Sequence, residues 1–255
     1  MASGPPGETH PVRRLLPSPA ETTVAEQLAG LDLIDLAYAD RPYVALNFAT
    51  TLDGRAAIAG KSGPIGSATD TEVLQRLRTR VDAVMIGAGT MRAERYGRMV
   101  PDPDFRAWRE RVGLAHDPLA VIVSNRFELP WDAPLFTNGG GRCVVFTASE
   151  EEPPETATPV TCVRHPDGVE LDRALGWLRR ERGIRALLCE GGPTLHGRLR
   201  EGNLADELFL TIAAKLAGGA GPRILEGALP DVIDMQLAWL LESQGELFAR
   251  YRLLT

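Results

Sequence analysis

Cysteine is scarce in this chain of 255 residues. There are three, Cys143, Cys162 and Cys189, and none forms a Cys-x-x-Cys pair. So odd and sparse a set offers no disulfide framework and fits buried thiols in a reducing cytoplasm. The four histidines, His10, His116, His165 and His196, are too scattered to suggest a metal site. Aromatic residues make up 6%, and Trp108, Trp131, Trp177 and Trp239 are too dispersed for a stacking platform. An excess of basic residues is also missing. The net charge is -6, which argues against nucleic acid as a partner. No hydrophobic run approaches the length of a membrane span, and the N-terminus lacks an apolar signal core. The expectation is a cytoplasmic protein with no membrane partner.

What remains is an ordinary globular composition, 44% hydrophobic and 24% charged. Met1 to about Pro19 is rich in Pro, Gly, Ser and Thr and reads as a disordered lead-in. Val24, Leu28, Leu31 and Ile34 then recur near helical spacing, so residues 1–40 form an extension ending in a peripheral helix. A compact domain follows over 41–255. Short apolar runs at 43–48, 82–87, 119–123, 143–146, 160–163, 184–189 and 207–213 read as strands alternating with helical segments. Thr69-x-x-Glu72 resembles a capping box, Arg76, Arg78 and Arg80 read as a solvated helix face, and residues 101–117 read as irregular. Residues 235–242 and 246–254 alternate as two strands joined by a hairpin turn. The expected class is α/β, a mostly parallel doubly wound sheet with an antiparallel edge hairpin.

Ligands of such sheets bind beyond the carboxyl ends of the strands. There the sequence places its glycines. In Cys189-Glu190-Gly191-Gly192-Pro193-Thr194-Leu195 an apolar strand breaks at two glycines and resumes as a helix, with proline where a missing N–H costs nothing. Such a turn aims free amides and a helix dipole into one space, as a pyrophosphate requires. It can equally be a plain corner in which glycine supplies the backbone freedom. Gly87-Ala88-Gly89-Thr90 offers a second, facing set of donors. Ser124-Asn125-Arg126 can hold a ribose 2′-phosphate or simply begin a loop. Asp53 and Arg55 can orient a polar substrate or form an Asp-Gly turn beside a surface arginine. His196 reads as a surface histidine.

Taken together, Thr-Leu-Asp-Gly-Arg at 51–55, Gly-Ala-Gly-Thr at 87–90, Val-Ser-Asn-Arg at 123–126 and the run from Cys189 to Leu199 resemble the reductase domain of riboflavin biosynthesis. So does the strand opening at Asp206-Glu207-Leu208. The resemblance implies a dihydrofolate-reductase-like fold. It also implies hydride transfer from NADPH to C1 of 5-amino-6-(5-phosphoribosylamino)uracil, giving the ribitylamino product, in a homodimer. It assigns Ala49, Gly66, Thr90, Glu94, Ser124 and the run from Gly192 through Pro193, Thr194 and Leu195 to Arg198 to the cofactor, and the turns themselves add Gly89, Arg126 and Gly191. It assigns Asp53, Ser62, Arg78 and Glu190 to the substrate, to which the turn itself adds Arg55, with Asp53 and Glu190 nearest the chemistry. Many members carry an N-terminal zinc deaminase, whose His-x-Glu and Pro-Cys-x-x-Cys motifs are missing here. Pro64 stands where the family has an aromatic residue, and Tyr96-Gly97-Arg98-Met99 stands where it has Pro-x-Leu-Thr. Two other readings share the same turns: a pterin or dihydrofolate reductase, and an NADP-binding protein without turnover.

Overall fold

In the computed structural model of the chain, the described residues are 5–227 and 232–254. The first four residues of the expected lead-in, and Thr255, lie outside them. Eleven strands among these residues form one sheet: β1 (Pro11–Leu16), β2 (Ala20–Thr23), β3 (Tyr43–Thr51), β4 (Ala83–Gly87), β5 (Leu119–Val123), β6 (Cys143–Thr147), β7 (Val160–Arg164), β8 (Ala186–Cys189), β9 (Glu207–Ala213), β10 (Met235–Ser243) and β11 (Glu246–Leu253). Their spatial order is β2-β1-β10-β11-β9-β3-β8-β4-β5-β6-β7. From β9 through β7 every neighbour is parallel. From β9 through β11, β10 and β1 to β2 every neighbour is antiparallel. Among the described residues seven helices complete the fold: α1 (Val24–Ala29), α2 (Ala68–Thr79), α3 (Ala88–Glu94), α4 (Pro103–Arg111), α5 (Pro134–Thr137), α6 (Leu171–Arg182) and α7 (Pro193–Glu201).

Alternation along the strands divides the core. Ala45, Val84, Ile86, Ile122, Val145 and Leu188 face one apolar layer, closed by Val73 and Leu77 of α2. Val44, Leu46, Met85, Val121, Val144 and Leu187 face the other, closed by Leu175 and Leu178 of α6 and Leu195 and Leu199 of α7. A parallel sheet covered on both faces requires such continuously apolar strands. Asp206 locks the start of β3, accepting from Val44 N, from the Tyr38 hydroxyl and, on both oxygens, from the Arg41 guanidinium.

Four expectations need correction. The lead-in is ordered from Pro11: β1 pairs with β10, with Arg13 opposite Glu242, and extends the antiparallel side beyond the C-terminal hairpin. The expected peripheral helix is a short α1, capped by Thr23 and Glu26, followed by a single 3-10 turn at Ile34–Leu36. The start of α2 is Ser67, whose hydroxyl accepts from Asp70 N. Glu72 is not part of a cap, because its carboxylate takes Arg76 Nε at 2.5 Å and the His10 amide at 2.7 Å. Within 101–117 lies α4, with Asp102 as N-cap and Pro103 in its first turn. Its Arg109 is fully buried and donates to the carbonyls of Arg78, Val81 and Ala115, pinning α4 to the end of α2.

Candidate active site

The carboxyl ends of β3, β4, β5 and β8 open into a cavity of about 600 Å³, lined by residues from every expected turn except the 51–55 segment. Asn47, Phe48 and Ala49 form one wall. Gly87–Thr90 and Gly192–Leu195 cross its middle, and Ser124, Asn125 and Arg126 border the far end. The two glycine turns are tied together, since Gly87 N donates to Gly191 O at 2.6 Å. The Gly191–Gly192 peptide is cis, and Gly191 has a φ of 90°. A Cβ on Gly192 would lie 2.9 Å from Thr90 Oγ1, so any side chain there would press on that hydroxyl at the start of α7. Helix α7 has no side-chain cap, and Pro193 fills its first turn, so its leading amides are left for a ligand.

The histidine of this helix is not on the surface. His196 is buried, its Nε2 lies 3.1 Å from Cys189 O, and its ring meets the Phe48 ring edge-on at 4.0 Å. Burial pushes its pKa down to about 3. Helical spacing alone gave no sign of this, because the residue sits beneath the turn rather than on the outer face of α7.

Below the glycine rim the cavity has a charged floor. Glu190 lines it and accepts both Arg78 Nε and Nη2 at 2.6 Å, while Arg78 Nη1 donates to Met99 O. Arg78 and Glu190 are 7% and 9% exposed. Burial disfavours the Arg78 charge, but the Glu190 carboxylate outweighs it and holds the guanidinium above its ordinary range. Tyr96, also lining the cavity, lies beside Glu190; burial first, and then that carboxylate, raise its phenol well above the usual range. The solvated arginine face is thereby corrected. Arg76 pairs with Glu72 and donates to Pro5 O and Glu8 O, and Arg80 lies over the Trp108 ring at 4.4 Å. Helix α4 and the N-terminal segment cover the side of α2 that composition suggested was wet.

Other expected residues fall into place unevenly. Ser62 and Glu94 meet at the cavity, where the Glu94 carboxylate accepts the Ser62 amide at 2.7 Å and its hydroxyl at 2.9 Å. Asp53, Arg55, Gly66, Arg78 and Gly191 are not among the lining residues. Asp53 accepts the Thr51 hydroxyl at 2.6 Å and the amides of Ala217 and Gly218, which together hold its carboxyl down at about 2. Arg55 donates to Gly221 O at 2.8 Å and comes within 4.0 Å of Asp53. This pair fastens the 215–221 loop to the end of β3. Gly66 makes room for a carboxyl, because a Cβ there would lie 2.0 Å from Asp70 Oδ2. Gly89 borders the cavity with open space where a Cβ would be. Arg126 is largely exposed at the far mouth, 3.5 Å from Glu128. Sequence reasoning missed Asn47, Asp70 and Tyr96 as cavity residues. The signals were weak: one polar residue in a strand, and an acid in the first turn of a helix following a glycine loop. No helix among the described residues is long and apolar enough to cross a membrane.

Comparison with known proteins agrees with this architecture. Residues 42–245 match the model of the RibD C-terminal domain. The chain is 32% identical over 192 residues to a 2,5-diamino-6-ribosylamino-4(3H)-pyrimidinone 5′-phosphate reductase of Archaeoglobus fulgidus, covering 73% of this chain and 87% of that protein. A protein of the same description from Methanothermobacter thermautotrophicus is 32% identical over 207 residues, covering 77% of this chain and 91% of its own. A crystal structure of a pyrimidine reductase-like protein from Corynebacterium diphtheriae superposes with a TM-score of 0.72 at 21% identity, over 88% of this chain and 100% of that one, which establishes the shared fold. The sheet, the glycine rim and the sequence match converge: the chain belongs to the RibD C-terminal domain family, the riboflavin-biosynthesis reductases that its motifs resemble.

Proposed function

We propose that the chain is an NADPH-dependent reductase of a ribosylaminopyrimidine 5′-phosphate and converts its ribosyl group to ribityl. The observation that carries this reading is the uncapped start of α7, packed through Gly192 against Thr90, above a cavity floored by Glu190, whose carboxylate is held by Arg78. The donor set fits the cofactor. The amides of Thr194 and Leu195 and the Thr90 hydroxyl would hold a pyrophosphate, and Ser124 with Arg126 would hold a 2′-phosphate. When bound, NADPH supplies the hydride that reduces C1 of the substrate sugar. The chain supplies position and charge. Glu190, fixed by Arg78, accepts hydrogen bonds from sugar hydroxyls and favours positive charge developing beside C1. Its bidentate pairing with Arg78 makes it an orienting group. The loop pinned by Ser62 and Glu94 borders the same space.

Residues 41–255 constitute the reductase unit in this reading, residues 1–40 an extension of it, and the enzyme works as a cytoplasmic homodimer. Sedimentation of the purified protein tests the pairing. For the activity, loss of the reduced-nicotinamide absorbance should accompany addition of 5-amino-6-(5-phosphoribosylamino)uracil or its 2-amino counterpart, with a ribitylamino product by mass spectrometry. NADPH bound but never oxidised would favour a protein without turnover, and oxidation with dihydrofolate alone would favour the pterin reading.

A further inference from the structure

Four carboxylates line the cavity: Asp70, Glu94, Glu128 and Glu190. Three have partners that account for them. Glu190 holds Arg78, Glu94 holds the Ser62 amide and hydroxyl, and Glu128 faces Arg126. Asp70 is different. The groups beside its carboxyl are the Thr211 hydroxyl of β9 and the Lys215 charge. The nearby ammonium of Lys215 donates at 2.7 Å to the carbonyls of Pro64 and Ile65, and Glu246 is engaged by the Ser67 hydroxyl. Asp70 thus has unused acceptor capacity within a cavity, where a carboxylate gains most from new N–H donors.

Its place is set by the fold. Ser67 starts α2 so that the first turn carries Asp70 toward the β3 wall, and Gly66 leaves the space its Oδ2 occupies. Thr71 and Leu74, on the same helix, line the cavity beside it. This end lies away from Ser124 and Arg126, so a cofactor whose 2′-phosphate sits there leaves the Asp70 end to the substrate base.

We propose that Asp70 reads the N3–C2 edge of the substrate pyrimidine and selects a ring bearing two adjacent N–H donors, a 2-amino group beside N3–H. This rests on the reductase reading above and specifies its substrate. Two syn lone pairs of a carboxylate match two parallel N–H bonds, as in a bidentate guanidinium pair. A uracil ring presents N3–H between two carbonyls, so the same carboxylate would face a carbonyl oxygen across a desolvated contact. Burial raises the Asp70 carboxyl above its ordinary range, while the Thr211 hydroxyl and the Lys215 charge draw it back; two donors from the ring would hold it ionised.

The test compares kcat/KM for 2,5-diamino-6-ribosylamino-4(3H)-pyrimidinone 5′-phosphate and for 5-amino-6-(5-phosphoribosylamino)uracil, in wild type and in Asp70→Asn. Wild type should prefer the 2-amino ring by about 100-fold, the scale of a lost charged hydrogen bond with its partner left buried. Asp70→Asn, whose amide can donate to the uracil carbonyl, should bring the two within about tenfold, through KM more than kcat. An unchanged ratio overturns the proposal. Calorimetric titration of the NADPH-loaded protein with 2-amino-4-pyrimidinone and with uracil gives a readout free of turnover. Tighter binding of the former by wild type, equalised in the variant, supports the Asp70 contact even if neither phosphate ester is reduced. That last result would instead remove the reductase reading. Equal binding of both bases by wild type overturns the Asp70 assignment alone.

Discussion

The cavity has two unlike sides. The rim, Gly87–Thr90 and Gly191–Leu195, is built from main chain and small residues. The floor, Glu190 and Tyr96 with the Arg78 that pairs with Glu190, is built from long polar side chains whose partners lie far away in sequence, 112 positions apart for Arg78 and Glu190. The rim gains its properties from the absence of side chains, and the floor from complete pairing of side chains that would otherwise be costly to bury. The two should therefore fail differently. Damage to the rim should weaken binding while sparing the fold, and damage to the floor should threaten the fold itself.

The sharpest break is Arg78→Ala, which strands the Glu190 carboxylate. We expect a loss of about 3–5 kcal/mol in chemical denaturation. An Arg78→Met/Glu190→Leu double variant should recover most of that stability while remaining inactive, and a double variant as unstable as the single would contradict this account of the floor. Glu190→Gln keeps the shape and should lower turnover more than NADPH affinity, by about 100-fold in kcat. If only NADPH binding suffers, the residue belongs to the rim after all.

His196 lies beneath the rim and ties the comparison to pH. Its folded pKa of about 3 is below its unfolded value, so the unfolded chain binds the extra proton first and stability falls as pH drops from about 6.5 toward 3. Between about pH 6 and pH 4 this residue should cost about 2–3 kcal/mol. His196→Gln should show a shallower acid loss in parallel thermal melts. On the rim, Gly192→Ala drives a methyl to 2.9 Å from Thr90 Oγ1. The expected cost is about 1–2 kcal/mol, seen mainly as weaker NADPH binding by fluorescence titration. The smallest effect belongs to exposed Arg126. Arg126→Ala should lower the NADPH-to-NADH preference by about tenfold with kcat unchanged, and an unaltered preference would assign the 2′-phosphate elsewhere.

The same contrast explains what could be read from the sequence. The strands at 43–51, 83–87 and 207–213, the glycine corners and the stop of α6 at Gly183 follow from local alternation, chain-breaking residues and left-handed backbone. The rim was legible for that reason. The pairing in the floor was not, since an arginine triplet on a helix looks solvated until α4 is laid over it; the family resemblance alone places Arg78 and Glu190 on the substrate side. Helix α4 itself hid behind its charges, although Asp102 and Pro103 marked its start. Asp53 shows the reverse. Its motif suggested chemistry, and its carboxylate instead fastens a loop through two amides and a hydroxyl.

The pairing of β1 with β10 joins Arg13 to Glu242, 229 positions apart. A ribosome delivers the first of these strands long before the second, so for most of synthesis β1 has a free edge and no template. Closing that side of the sheet must await the hairpin that carries β10. The nascent chain therefore carries an exposed pairing edge, and assembly of the antiparallel side becomes a late event in translation.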